Sequence, residues 1–169
     1  MKRPERIWKF TAPLERMSGK GGWSYVEFPH EVPELFGTRG DVRVKCRFNG
    51  VVADRALMPT KSGVHILVLG AELRKRAGIQ RVGDPVRVEL RLDPEPDKVV
   101  LPVELAGTLE LIPELDAAWR KLTPGMQRSM CHWIDGARTA GTRTKRILEL
   151  LRRHESGEAP FKRKKVGQP

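Results

Sequence analysis

Few side chains in this 169-residue chain have the types and spacing that chemistry requires. Cys131 and His132 are adjacent, but neighbouring residues of a helix point in different directions, so they do not make a thiol–imidazole pair. No set of Cys, His, Asp and Glu has metal-ligand spacing, and neither a metal nor a cofactor is expected. The loop Ser18-Gly19-Lys20-Gly21-Gly22 offers backbone N–H groups to a phosphate. It lacks P-loop spacing and reads better as a flexible hairpin loop. His65 lies in an apolar run, where an imidazole more often serves structure than acid–base work, and His30 and His154 are expected to face solvent. Catalysis is therefore the reading the residues favour least.

Two groups of residues could bind. Trp23, Tyr25, Arg55 and His65 could surround a small-ligand pocket in a barrel. Trp23 and Tyr25 share a parity that Phe28 does not, and the expected orientation is inward; outward, they would form a stacking platform beside cations. The second group is Arg143, Lys145, Arg146, Arg152 and Arg153 with the run Lys162-Arg163-Lys164-Lys165. These could neutralise the phosphates of an anionic partner, possible nucleic acid or another polyanion, with salt-dependent affinity. The plain alternative is a solvated helix face and a solubilising tail.

Charge supports the second group. The net +11 is uneven: residues 1–100 carry 19 Lys/Arg against 13 Asp/Glu, residues 101–137 carry 3 against 5, and residues 138–169 carry 10 against 3. Two cysteines make no disulfide framework, which suggests a reducing compartment. The start, MKRPERIWKF, lacks a signal peptide's apolar run, and no stretch approaches a membrane span of about 18 apolar residues. A soluble cytoplasmic protein is expected.

The elements that must position these residues are clearest at 41–48, DVRVKCRF, whose strict alternation marks a half-buried strand. Val42, Val44, Cys46 and Phe48 share one face, and Arg43, Lys45 and Arg47 the other. Asn49-Gly50 suits a type I′ turn, setting Phe48 opposite Val51, Cys46 opposite Ala53 and Lys45 opposite Asp54. Arg55 then lands opposite Val44 on the apolar face. A bulge after Asp54 that turns it outward is the expected resolution; an arginine aimed into a barrel mouth to hold an anion is the alternative. Further strands are expected at 7–11, 23–28, 64–69 and 86–92, the last with Val86, Val88, Leu90 and Leu92 inward, and short helices at 31–36 and 71–77. The acidic, proline-rich DPEPD at 93–97 ends this part.

From Pro102 the period becomes helical, with proline in the first turn. Expected helices follow at 114–122, after Thr123-Pro124 with Met126, Met130, Trp133, Ile134 and Ala137 on one face, and at 143–154 with Ile147, Leu148, Leu150 and Leu151 as its apolar stripe.

Trp23–Pro29 (WSYVEFP), Phe48–Gly50 (FNG), Leu57–His65 and Val82–Leu90 (VGDPVRVEL) together resemble the domain-of-unknown-function 1905 family over about residues 6–93. LTPGMQR, HWIDGAR and TRTKRI resemble the bacteriocin-protection, YdeI/OmpD-associated family over about 102–152. The first resemblance implies a double-split β-barrel, similar in architecture to AbrB-type DNA-binding proteins; neither implies a reaction. Cys46 and Trp119 depart from the usual pattern as core variations.

The expected fold class is α+β: a small β-barrel over 1–93, a linker over 94–101, a helical segment over 102–154 and a basic, disordered tail over 155–169. The expected function is a non-enzymatic binding module whose basic C-terminal part contacts an anionic partner. The alternatives are a small-ligand-binding barrel and a stress or peptide-tolerance protein acting through a possible protein partner.

Overall fold

A computed structural model describes residues 5–19 and 21–158. They divide into two units, with the boundary between residues 96 and 97.

The first unit is a nearly closed barrel of seven antiparallel strands: β1 (Trp8–Pro13), β2 (Glu15–Arg16), β3 (Ser24–Glu27), β4 (Val42–Phe48), β5 (Val51–Pro59), β6 (His65–Val68) and β7 (Pro85–Leu92). Their order is β1-β7-β4-β5-β6-β3-β2. The two end strands are one run of chain, broken only at Leu14. Trp8–Pro13 pairs with β7 and Glu15–Arg16 with β3, so a single extended segment supplies both edges. Leu14 is 1% exposed and its backbone is held on both sides: its N–H donates to the Asp84 carbonyl at 2.9 Å, and its carbonyl accepts from Gly83 N–H at 2.8 Å. β5 performs the same double duty opposite, giving Val51–Leu57 to β4 and Met58–Pro59 to β6.

The β4–β5 hairpin forms in the expected register. Asn49 and Gly50 have φ of 47° and 86°, the two positive values a type I′ turn requires. Inward side chains of the strands, among them Val44, Phe48, Leu57, Leu67, Val88 and Leu90, fill the barrel with Leu14 and Phe28. Helix α1 (Val32–Phe36) ends at Gly37, φ 71°, and Phe36 meets Trp8 edge-on at 5.1 Å. Helix α2 (Ala71–Arg76) is followed by Gly78 at φ 68°, adding Leu73 and Ala77 to the core.

Three expectations from the sequence do not hold in the barrel. β5 has no bulge: Val44 pairs with Arg55 and Arg43 with Ala56, so Arg55 stays on the inward side. Its guanidinium reaches carbonyl groups, which satisfy it without turning the strand. Leu92 is 44% exposed rather than inward, because the β1 pairing stops at Leu90 and leaves this last rung covered from β4 alone. Trp23 and Tyr25 point outward: Ser24, Val26 and Phe28 hold the buried parity, and Trp23 is 51% exposed. Alternation identifies two faces but not which one the barrel encloses; Val26 opposite Leu67 decides it.

The second unit contains α3 (Val103–Leu111), α4 (Pro113–Arg120), α5 (Pro124–Asp135) and α6 (Ala140–Glu155). Pro102 is the N-cap of α3 rather than a first-turn residue. Thr123 caps α5 by accepting from Met126 N–H at 3.3 Å, with Pro124 in the first turn. Thr139 caps α6 in the same way through Thr142 N–H, so that helix begins before Arg143. Leu105, Leu109, Trp119, Met130, Ile134 and Ile147 form the core of this unit. Leu148 lies outside it at 56% exposure, the stripe being Ile147, Leu150 and the partly buried Leu151.

Truncating Leu14 to alanine should cost about 2–5 kcal/mol in chemical denaturation, as for a large buried aliphatic. Leu92→Ala should cost under about 0.5 kcal/mol, as expected of a surface position.

Candidate functional site

The outward residues of β1, β7, β4 and β5 form one face. They are Lys9 and Thr11; Arg87, Glu89 and Arg91; Arg43, Lys45 and Arg47; and Val52, Asp54 and Ala56. Cations outnumber carboxylates on it. Strand pairing fixes their rows: Lys9, Glu89 and Arg47 lie side by side, as do Arg91, Lys45 and Asp54. Like charges directly opposite repel, and Arg91 and Lys45 are each offset by a carboxylate. Arg91 pairs with Glu5, while Lys45 bonds Asp54 at 2.9 Å and lies 3.9 Å from Asp93. Glu89 is taken by Lys9 at 3.3 Å. That leaves three cations without an acidic partner among the described residues: Arg43, which is half-buried, and the exposed Arg47 and, diagonally across the rows, Arg87. Lys45, Arg47 and Arg91 also border a shallow depression of about 480 Å³, with Ile7 and Val52 in its lining.

Guanidinium groups fixed on a rigid sheet can take phosphate oxygens with paired N–H bonds. Alternation alone places Arg43, Lys45 and Arg47 on one face but does not single them out. The signal it lacks is which strand lies beside β4: once VRVKCRF and VRVELRL are neighbours, their charged parities merge.

The four residues expected around a barrel pocket fall in different settings. Arg55 is half-buried; its Nε donates to the Val68 carbonyl at 3.0 Å and a terminal nitrogen to the Asp54 carbonyl at 2.8 Å. Burial lowers its pKa from the usual range, the nearby Cys46 acting in the opposite sense. Tyr25 pairs across β3–β6 with the same Val68 from the outer side, and its hydrogen bond with Glu15 raises its pKa. His65 is 2% exposed and its Nε2 lies 3.1 Å from the Gly40 carbonyl, tying β6 to the loop before β4. Trp23 precedes β3, half in solvent.

The expected anion-binding arginines of α6 are largely engaged within their own unit. Arg143 bonds Glu104 at 2.8 Å and the Ala137 carbonyl at 3.1 Å. Arg146 donates to the Trp133 carbonyl and lies over its indole at 5.4 Å. Arg152 and Arg153 clasp Glu149 at 2.9 and 2.7 Å, and Arg152 also holds Glu158. Those two guanidiniums push the Glu149 carboxyl down to about 2. Lys145 is exposed. Lys162, Arg163, Lys164 and Lys165 lie outside the described residues.

Neither thiol is poised as a nucleophile. Burial raises Cys46 to about 12 and Cys131 to about 11, so both are protonated at neutral pH. His132 is exposed while Cys131 is buried. Among the described residues no three His, Cys, Asp or Glu side chains gather as a metal set, and no helix is long and apolar enough to cross a membrane.

Comparison with known families finds two matches. Residues 10–90 match the family described as Domain of unknown function (DUF1905), and residues 98–157 that described as Bacteriocin-protection, YdeI or OmpD-Associated. A search of curated proteins finds no match to the chain.

Iodoacetamide at pH 8 should leave both cysteines unmodified in the folded protein and label both in denaturant, as read by mass spectrometry. Glu149 makes a second prediction. Its folded pKa lies below the ordinary 4.5, so its contribution is complete above that value and is lost as pH falls through about 2. Stability of α6 followed by circular dichroism should decline over that window, and less steeply in Glu149→Gln.

Proposed function

We propose that this chain, whose residues 10–90 match the DUF1905 family and residues 98–157 the bacteriocin-protection, YdeI or OmpD-associated family, is a non-enzymatic binding module for a polyanion, nucleic acid foremost. The observation that carries this reading is the pair Arg47 and Arg87, exposed on neighbouring strands and free of acidic partners among the described residues. Lys45, Arg91 and Lys9 beside them are each held by a carboxylate, so the positive field an incoming phosphate meets comes from the uncompensated arginines. The contact surface thus moves from α6 to the outer face of β4 and β7. The Lys162–Lys165 run, outside the described residues, adds to the chain's net positive charge.

Phosphate contacts of this kind position a partner without reading its sequence. The module accordingly binds with little base preference. The two free, buried thiols support a reducing compartment, and with it a cytoplasmic location.

Fluorescence anisotropy with labelled 20-nucleotide single-stranded DNA, duplex DNA and RNA at 50 and 200 mM salt tests this. Binding is expected at the lower salt, falling steeply at the higher. Arg47→Glu with Arg87→Glu should weaken it at least tenfold and flatten the duplex salt dependence by about 0.9 in log–log slope for each phosphate no longer neutralised. A Lys145→Glu change should weaken it less. Absence of binding to all three probes at 50 mM salt would overturn the reading.

A further inference from the structure

The helices of the second unit do not close completely. Between them lies a cavity of about 280 Å³, lined by Leu105 and Leu109 from α3, Leu115, Ala118 and Trp119 from α4, Leu122, Met130 from α5, and Ile147 and Leu150 from α6. Its remaining lining is His154, Gly157 and Glu158. The same side chains that build the unit's core form its walls, and the exposed His154, Gly157 and Glu158 edge it, so it is a partly open apolar pocket shared by all four helices.

We propose that this cavity is a binding site for a small neutral molecule with an aromatic or short aliphatic body. The lining sets the chemistry. Apart from its His154–Glu158 end, every lining side chain is apolar. A cavity of roughly 150 Å³ with such walls stays dry and takes up benzene, so the space here suits about ten heavy atoms. Charge at the polar end is already balanced: the Glu158 carboxylate accepts from Arg152 and from Ser156. An ionic head would have to displace that pair, whereas a hydroxyl or ring N–H needs only one hydrogen-bond partner. His154, exposed beside the cavity, provides one. The site lies wholly within the second unit and is independent of the cationic sheet face.

Indole and 1-octanol are suitable probes, followed by methyl NMR on the full-length protein. Saturable shifts are expected at Leu105, Leu109, Leu115, Ile147 and Leu150, while barrel methyls such as Leu57 and Leu67 stay in place. Ala118→Leu adds bulk to the lining and takes no atom away from it. It should weaken binding at least tenfold, with the thermal midpoint reporting that the variant is folded. Should that variant not fold, Leu122→Phe fills the cavity from a different residue, with the same expected loss. Shifts spread equally over both units, or binding unchanged in a folded filled variant, would overturn the proposal. So would a lack of shifts with both probes. A chain ending at Glu158 that binds when the full chain does not would overturn it too, by identifying the chain's own tail as the occupant.

Discussion

The barrel depends on one bend in one strand. A seven-stranded antiparallel sheet has two edges, each presenting unpaired backbone groups. Here both edges come from the run Trp8–Arg16, which pairs with β7 before Leu14 and with β3 after it. At the crossing, Leu14 gives its side chain to the core, and its backbone groups bond Gly83 and Asp84. Gly83 adopts φ 93°, a conformation that side chains resist, so the residue type is dictated by the closure. The Asp84 carboxylate in turn accepts from Gln80 and Arg81 N–H groups at 2.9 Å, fixing the turn that receives Leu14. Two short segments far apart in sequence thereby seal the sheet.

How much of this is legible in the sequence depends on how local the cause is. The β4–β5 hairpin is readable to the residue, because alternation and Asn49-Gly50 set the register within a few positions. The α5 cap at Thr123-Pro124 is readable for the same reason. Closure is not: β2 is two residues long, too short to leave a periodic signal, and its role emerges only when β3 lies beside it. Arg55 shows a different limit. An arginine on the buried side argues for a bulge, yet carbonyls of Val68 and Asp54 satisfy it in the regular strand, and the first of these comes from a strand whose position the sequence does not encode locally.

The candidate site is legible in part. Charge counting correctly finds an excess near the C-terminus, but it cannot distinguish an arginine that faces solvent from one that braces a helix. Around α6 the acidic residues are few and efficiently used: Glu149 alone holds two arginines, and Glu104 of α3 takes a third. On the barrel the opposite holds, since Lys9 occupies Glu89 and leaves Arg47 beside it unclaimed. Which cations remain available is a question of neighbours, and those are set by strand order.

The Asn49-Gly50 turn has a consequence for the chemical lifetime of the protein. Asparagine followed by glycine is the dipeptide most prone to deamidation, because the unhindered glycine nitrogen attacks the side-chain amide. In the folded chain that amide is restrained at both ends: its nitrogen donates to the Ala77 carbonyl at 3.1 Å, and its oxygen accepts from Arg87 N–H at 2.9 Å. Cyclisation would have to break both bonds and distort a turn whose positive φ values are already fixed. The turn that starts the hairpin is therefore also sheltered from ageing by it, and the molecule wears at this peptide only when it unfolds.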